Sequence, residues 1–216
     1  MNTEQKLKLL LFGATRNTGY LFMQQALEAG HEVTVIIRDP ALFDYKHPNL
    51  KIVKGDALQL NTFENEVSGK NAVISSLGTN DFKRPTVLFS KGVGNMMSAM
   101  RKAGVKRIMC VSAMALDTNV KTGFLLKVAS KIVQRVLKHP YADLRIMEAE
   151  LKSSELDWTI VRPPQLKDNP VTGKYRLAVG EHLSWPFSIG RADVAHYMLG
   201  HLRDAGTYQK TVEVAN

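Results

Sequence analysis

Hydrophobic positions in this chain fall into short dense runs, separated by longer stretches with helical spacing. The first run, Lys8–Phe12, is almost wholly apolar, as expected of a strand buried on both faces. Gly13 ends it, and Thr15, Asn17 and Thr18 supply small polar groups in a short loop. Gly19 then opens an apolar-periodic helix through Leu21, Phe22, Ala26 and Leu27, which closes at Gly30. The β-branched run 31–37 predicts a second strand, followed at once by Arg38-Asp39-Pro40. Residues 50–54 predict a third short strand closed by Gly55-Asp56, a polar helix over 58–67, and a fourth strand over 71–77 stopped by Gly78-Thr79. Helical spacing over 86–103 ends at Gly104, and 107–112 predicts a fifth strand.

The second half continues the alternation. Residues 124–138 are amphipathic, with Leu125, Ala129, Ile132 and Val136 on one stripe and Lys127, Lys131, Arg135 and Lys138 on another. A helix over 141–154 leads into a sixth strand at 158–162, broken by Pro163-Pro164-Gln165. A helix over 191–199 and a last strand over 211–215 complete the chain. Strands separated by helical segments predict βαβ units, and hence a doubly wound parallel α/β sheet of the Rossmann type. The chain reads as one domain, 1–216, with a small C-terminal elaboration in which 163–190 form the lid over a substrate. In such folds ligands sit outside the carboxyl ends of the strands, here at 13–19, Arg38, Asp56, 77–79 and Ser112.

Composition narrows the picture modestly. With 216 residues and 44% hydrophobic content the chain can bury a full core. No apolar run reaches the ~18 residues of a membrane span, and the first residues lack the pattern of a signal peptide. A single cysteine, Cys110, excludes an internal disulfide and suits a reducing cytoplasm. No His/Cys spacing matches a metal site, so no metal is expected. The net charge of +9 favours anionic partners in general, without choosing among nucleotide cofactor, nucleic acid and acidic lipid. The basic stripe over 124–138 is either a solvated face or a docking surface. No nucleic-acid partner is expected, and oligomeric state leaves no trace in the sequence.

The chemistry concentrates around the first glycine loop. A strand, a tight glycine turn and a helix N-terminus form an anion site, because unpaired N–H groups and the helix dipole converge there. Arg38, nineteen residues after Gly19, stands where an acid would bind the ribose hydroxyls of NAD and an arginine suits the 2′-phosphate of NADP. Arg16 could approach the same phosphate; alternatively Arg38 pairs with Asp39 or solvent. Asp56 either lies near the adenine or caps its loop. Ser112 at the end of the fifth strand is either the catalytic residue, touching substrate and orienting the acceptor or a water, or it caps a turn; Cys110 on the same face is a substrate contact or a buried small hydrophobe. Pro164, Gln165 and Trp185 are candidate substrate-wall residues; Trp185 and Phe187 either stack on a planar ligand or anchor the core.

The segments Gly13-Ala14-Thr15, Thr18-Gly19, 33–39, Gly55-Asp56-Ala57, Ser76-Leu77-Gly78-Thr79, Val111-Ser112-Ala113 and Val161-Arg162-Pro163-Pro164 together resemble the atypical short-chain dehydrogenase/reductases that bind NAD(P)H. Within these the chain is most similar to the biliverdin-IXβ reductase/flavin reductase branch, from about Lys8 to Val214. The resemblance implies that Gly13, Thr15, Thr18 and Gly19, with Arg16 and Asn17 in the same loop, hold the pyrophosphate of NADP(H). It also implies Arg38 at the 2′-phosphate, Leu77, Gly78 and Thr79 against the ribose, and Ser112 beside the nicotinamide. Two departures stand out. Arg16 replaces the usual middle glycine, and the Tyr-x-x-x-Lys pair is reduced to Tyr141 followed by Arg145, which cannot serve as an adaptable lysine. The expected function is therefore an NADPH-dependent reductase of a flavin or another planar acceptor. The alternative is a non-catalytic NADP(H) sensor of the nitrogen-metabolite-regulator type.

Overall fold

The computed structural model describes residues 6–116, 133–184 and 186–216. Its ten strands are β1 (Lys8–Phe12), β2 (Glu32–Ile37), β3 (Leu50–Lys54), β4 (Ala72–Ser75), β5 (Arg107–Val111), β6 (Asp157–Arg162), β7 (Gln165–Lys167), β8 (Arg176–Val179), β9 (Ser188–Gly190) and β10 (Lys210–Ala215). Among the described residues the complete helices are α1 (Asn17–Glu28), α2 (Leu88–Ala103), α3 (Lys138–Lys152) and α4 (Arg191–Gly200). Eight strands form one sheet in the order β3-β2-β1-β4-β5-β6-β10-β8, parallel except for β8, while β7 and β9 pair separately. The order reverses between β1 and β4, so the chain has the topological switch point of a doubly wound fold.

The apolar run of β1 follows from its position at the centre. Leu9 and Leu11 point into a layer with Phe22 and Met23 of α1 and Tyr197 and Met198 of α4. Leu10 and Phe12 point into the opposite layer, with Met96 and Met100 of α2 and Met147 and Leu151 of α3. Neither face of β1 meets water, so alternation is absent and nearly every position is apolar. Ser76 N donates to Phe12 O at 3.0 Å, which carries the β1–β4 ladder past the strand ends toward the crevice.

The polar helix expected over 58–67 is instead two short 3₁₀ turns, at Leu60–Thr62 and Glu64–Val67. Thr62 Oγ1 donates to Gln59 O at 2.6 Å, a local bond that competes with helix propagation. Phe63 between the turns is buried edge-on against Phe12, with ring centroids 4.8 Å apart. The lid expected over 163–190 contributes to the sheet as well: β8 pairs antiparallel with β10 and forms the edge. Most of the amphipathic stretch 124–138 lies outside the described residues; Val136, placed on its apolar stripe, is exposed.

One carboxylate ties the two helices of the second layer together. Asp143 on α3 is buried and accepts from Phe89 N at 2.8 Å and Ser90 N at 3.2 Å, and Ser90 Oγ also donates to it. It caps α2 from a different helix, satisfying amides that no side chain of α2 caps locally. Asp143→Ala is expected to cost about 2 kcal/mol in chemical denaturation, with an unchanged slope.

Candidate active site

Gly13 closes β1 with a φ of 85°, and a Cβ there would lie 2.2 Å from Ser76 O. Only glycine supplies both this conformation and this approach. Gly19 in the first turn of α1 presses on the same loop, since its Cβ would lie 2.2 Å from Gly13 O. Between them Arg16 is fully extended (φ −166°, ψ 171°), a conformation open to any residue, and Asn17 takes φ 58°. The loop therefore accommodates arginine in place of the usual glycine without backbone strain, and the left-handed step falls on asparagine, which tolerates it. No side chain caps the first turn of α1, so its amides remain available to an anion.

This loop is one wall of a groove of about 170 Å³ along the carboxyl ends of β1, β2, β3 and β4. Of the residues expected to hold a dinucleotide, Gly13, Thr15, Arg16, Asn17, Arg38, Asp56, Leu77, Gly78 and Thr79 line it. Thr18 and Gly19 do not; both are buried beneath the loop, where Gly19 sets its spacing. Arg38 is exposed at the rim and makes no ion pair with Asp39, one of whose oxygens, Oδ1, accepts from Ala41 N at 3.3 Å. Asp56 lines the groove and caps its turn at once, accepting from Leu58 N at 2.9 Å. Asn80, which sequence reasoning missed, also lines the groove. With its amide oxygen turned toward Arg16, it accepts from both guanidinium Nη atoms at 3.0 and 3.1 Å and holds that side chain beside the loop.

Ser112 follows β5 and is nearly buried. Its Oγ donates to Glu148 Oε1 at 2.7 Å, and its N–H donates to Val161 O at 2.8 Å. Glu148, on the buried face of α3, also accepts from Arg162 Nε at 2.8 Å and Arg162 Nη2 at 2.5 Å, with Lys152 Nζ at 3.2 Å. Burial alone would raise the Glu148 carboxyl, but the bonds from Arg162 and Ser112 and the charge of Lys152 outweigh it and hold it below its usual range. The signal for this residue was a charge in the apolar stripe of α3, between Leu144 and Leu151. A depressed folded-state pKa stabilises the protein above the unfolded value and is lost as pH falls through the folded one. The melting temperature is accordingly expected to drop below about pH 4, and Glu148→Gln to flatten that acid limb.

The remaining candidates separate. Cys110 is not a substrate contact: it is fully buried among apolar side chains, and burial pushes its thiol up, out of reach of any reactive role. Pro164 is half-buried and Gln165 exposed on β7, both outside the groove. Trp185 lies outside the described residues; Phe187 is exposed. Tyr141 is buried in the core with its phenol raised by burial, and Arg145 Nη2 donates to Leu116 O at 3.3 Å, so the two form no proton relay.

Sheet order, switch point and glycine-walled groove define a dinucleotide-binding protein of the doubly wound class. The chain belongs to the NAD(P)H-binding family, whose model matches residues 13–205. A chloroplastic, uncharacterized protein of Arabidopsis thaliana is 30% identical over 221 residues, covering 99% of this chain and 78% of that protein. Among solved structures, a Rossmann-fold NAD(P)-binding family protein from Shigella flexneri superposes with a TM-score of 0.76 at 18% identity, over 98% of this chain and 94% of its own. ChuY of Escherichia coli O157:H7, described as an anaerobilin reductase, superposes at 0.76 with 21% identity, over 96% of each chain. At such identities the two structures speak for the fold alone. The expected fold and the resemblance to NAD(P)H-binding proteins are thus borne out. Among the described residues, no helix is long and apolar enough to cross a membrane.

Proposed function

We propose that this protein is an NADPH-dependent reductase that delivers hydride to a planar acceptor such as a flavin or a linear tetrapyrrole. The observation that carries the reading is Arg38, an exposed guanidinium at the rim of the dinucleotide groove that makes no ion pair with the neighbouring Asp39. NADPH, when bound, supplies the hydride. The chain's own residues bind and orient: the loop amides and the α1 N-terminus meet the diphosphate, Arg38 the 2′-phosphate, and Leu77–Thr79 the ribose. The reading is supported by the packing of the loop, where a Cβ at Gly13 or Gly19 would overlap backbone oxygen.

The acceptor class follows from what the site lacks. Tyr141 is packed in the core and the exposed Arg145 is bonded to Leu116 O, so this pair does not supply the acid that carbonyl reduction requires. A flavin takes hydride at N5 and its remaining proton from water, and so asks the protein only for alignment and exclusion of bulk solvent. ChuY, described as an anaerobilin reductase and built on the same fold, supports the comparison with a planar conjugated acceptor. A cytoplasmic setting belongs to the same proposal, supported by the single buried cysteine. Stopped-flow mixing with NADPH plus FMN, biliverdin or quinones, followed at the nicotinamide absorbance, tests it. Acceptor-dependent oxidation is expected; tight NADPH binding with no oxidation by any acceptor would replace the reductase with the sensor.

A further inference from the structure

Ser112 is the polar side chain at the carboxyl end of β5, and its hydrogen is already committed. Glu148 receives Arg162 through two bonds and Lys152 through a third, and all of these partners can only donate. A carboxylate so held is ionised and can only accept. The hydrogen in the 2.7 Å contact between Ser112 Oγ and Glu148 Oε1 therefore belongs to the serine. The backbone N–H of Ser112 is engaged as well, by Val161 O at 2.8 Å. What Ser112 retains for a ligand is the pair of lone pairs on Oγ and no donor.

The sheet places this oxygen relative to a dinucleotide. A dinucleotide lies across the crevice at the switch point, which here separates β1 from β4. Arg38 and Asp56, at the ends of β2 and β3, would take the half bearing the adenosine, so the other half would extend past the groove's lining residues over the ends of β4, β5 and β6, where Ser112 lies. A nicotinamide carries a carboxamide with one N–H₂ donor and one carbonyl acceptor. We infer that Glu148 is a positioning residue that fixes the Ser112 hydroxyl as a pure acceptor, so that the site selects a pyridine ring bearing an amide N–H donor over one bearing an acid. The inference rests on the reading that a nicotinamide cofactor spans this crevice. It also removes Ser112 from the role of proton donor, because giving up its hydrogen would break the bond to Glu148.

The test is calorimetric binding of NADP⁺ and of its nicotinic-acid analogue, in which a carboxylate replaces the carboxamide. The wild-type protein is expected to prefer NADP⁺ by about tenfold or more, since the analogue loses a hydrogen bond and sets a carboxylate against lone pairs. Ser112→Ala keeps the Glu148–Arg162 pair and should bring the preference close to one. Glu148→Gln offers an amide N–H to Ser112, freeing its hydroxyl to donate, and should reduce or reverse the preference. A merely structural role would weaken both nucleotides equally and leave the ratio intact. An unchanged ratio in Ser112→Ala overturns the inference whether or not Glu148→Gln folds, which thermal melting reports. Equal binding of both nucleotides by the wild-type protein overturns the inference alone, whereas binding of neither overturns the cofactor reading with it.

Discussion

Gly19→Ala is expected to abolish dinucleotide binding by calorimetry and to lower the melting temperature by about 6–12 °C. The added Cβ would stand 2.2 Å from Gly13 O, far inside contact distance, and the obstructing atom is backbone. Relief requires α1 to move off the β1 turn, and α1 is locked from behind by Phe22 and Met23, which are fully buried. Overpacking of this kind costs up to about 3 kcal/mol, and a chain of this size loses about 2–4 °C per kcal/mol. The binding loss follows separately, because the same displacement spreads the loop whose amides face the groove. Gly200→Ala is the matched control: its Cβ would meet nothing within 4 Å, and the change should be within about 1 kcal/mol of neutral. Retained dinucleotide binding in Gly19→Ala would mean that the turn is looser than its packing implies.

How legible this molecule was from its sequence depends on how local each cause is. β1, β2, β4 and β5 were readable because burial on both faces leaves mostly apolar residues, with Thr34, Ser75 and Arg107 the buried polar exceptions, and α2 because its period runs unbroken to Gly104. The groove was readable for the same reason: its wall residues follow strand ends directly, and strand ends are where apolar runs stop. The turns at 60–67 were not, because Thr62 and Phe63 decide them through a side-chain bond to the backbone and a ring contact with Phe12. β8 was hidden too: its apolar run is only Leu177 to Val179, and with Leu177 and Val179 exposed on a sheet edge nothing sets it apart from the loops on either side. Asp143 and Glu148 were invisible as functional groups because the partners that give them a role, Phe89 and Ser90 for Asp143 and Ser112 for Glu148, stand 36 to 54 residues away. A charge in an apolar stripe reveals that a partner exists without naming it.

Arg38→Ala is expected to weaken NADPH binding about 10- to 150-fold while leaving NADH almost unchanged. A hydrogen bond to a charged group contributes about 1.5–3 kcal/mol, and the 2′-phosphate is the one group by which the two cofactors differ. Arg38 is suited to this because its guanidinium is exposed at the groove rim and makes no ion pair with the neighbouring Asp39. Arg16 offers a second guanidinium from the opposite wall, so the loss on removing Arg38 alone should fall short of the full difference between the cofactors. The bond from Arg16 to the Asn80 amide makes this separable. Asn80→Ala releases the Arg16 side chain without removing its charge, and should change NADPH affinity less than threefold if Arg16 reaches the phosphate only as a diffuse cation. Equal affinities of the wild-type protein for NADH and NADPH would show that neither arginine reads the phosphate, and the preference for NADPH would be withdrawn while the dinucleotide groove remained.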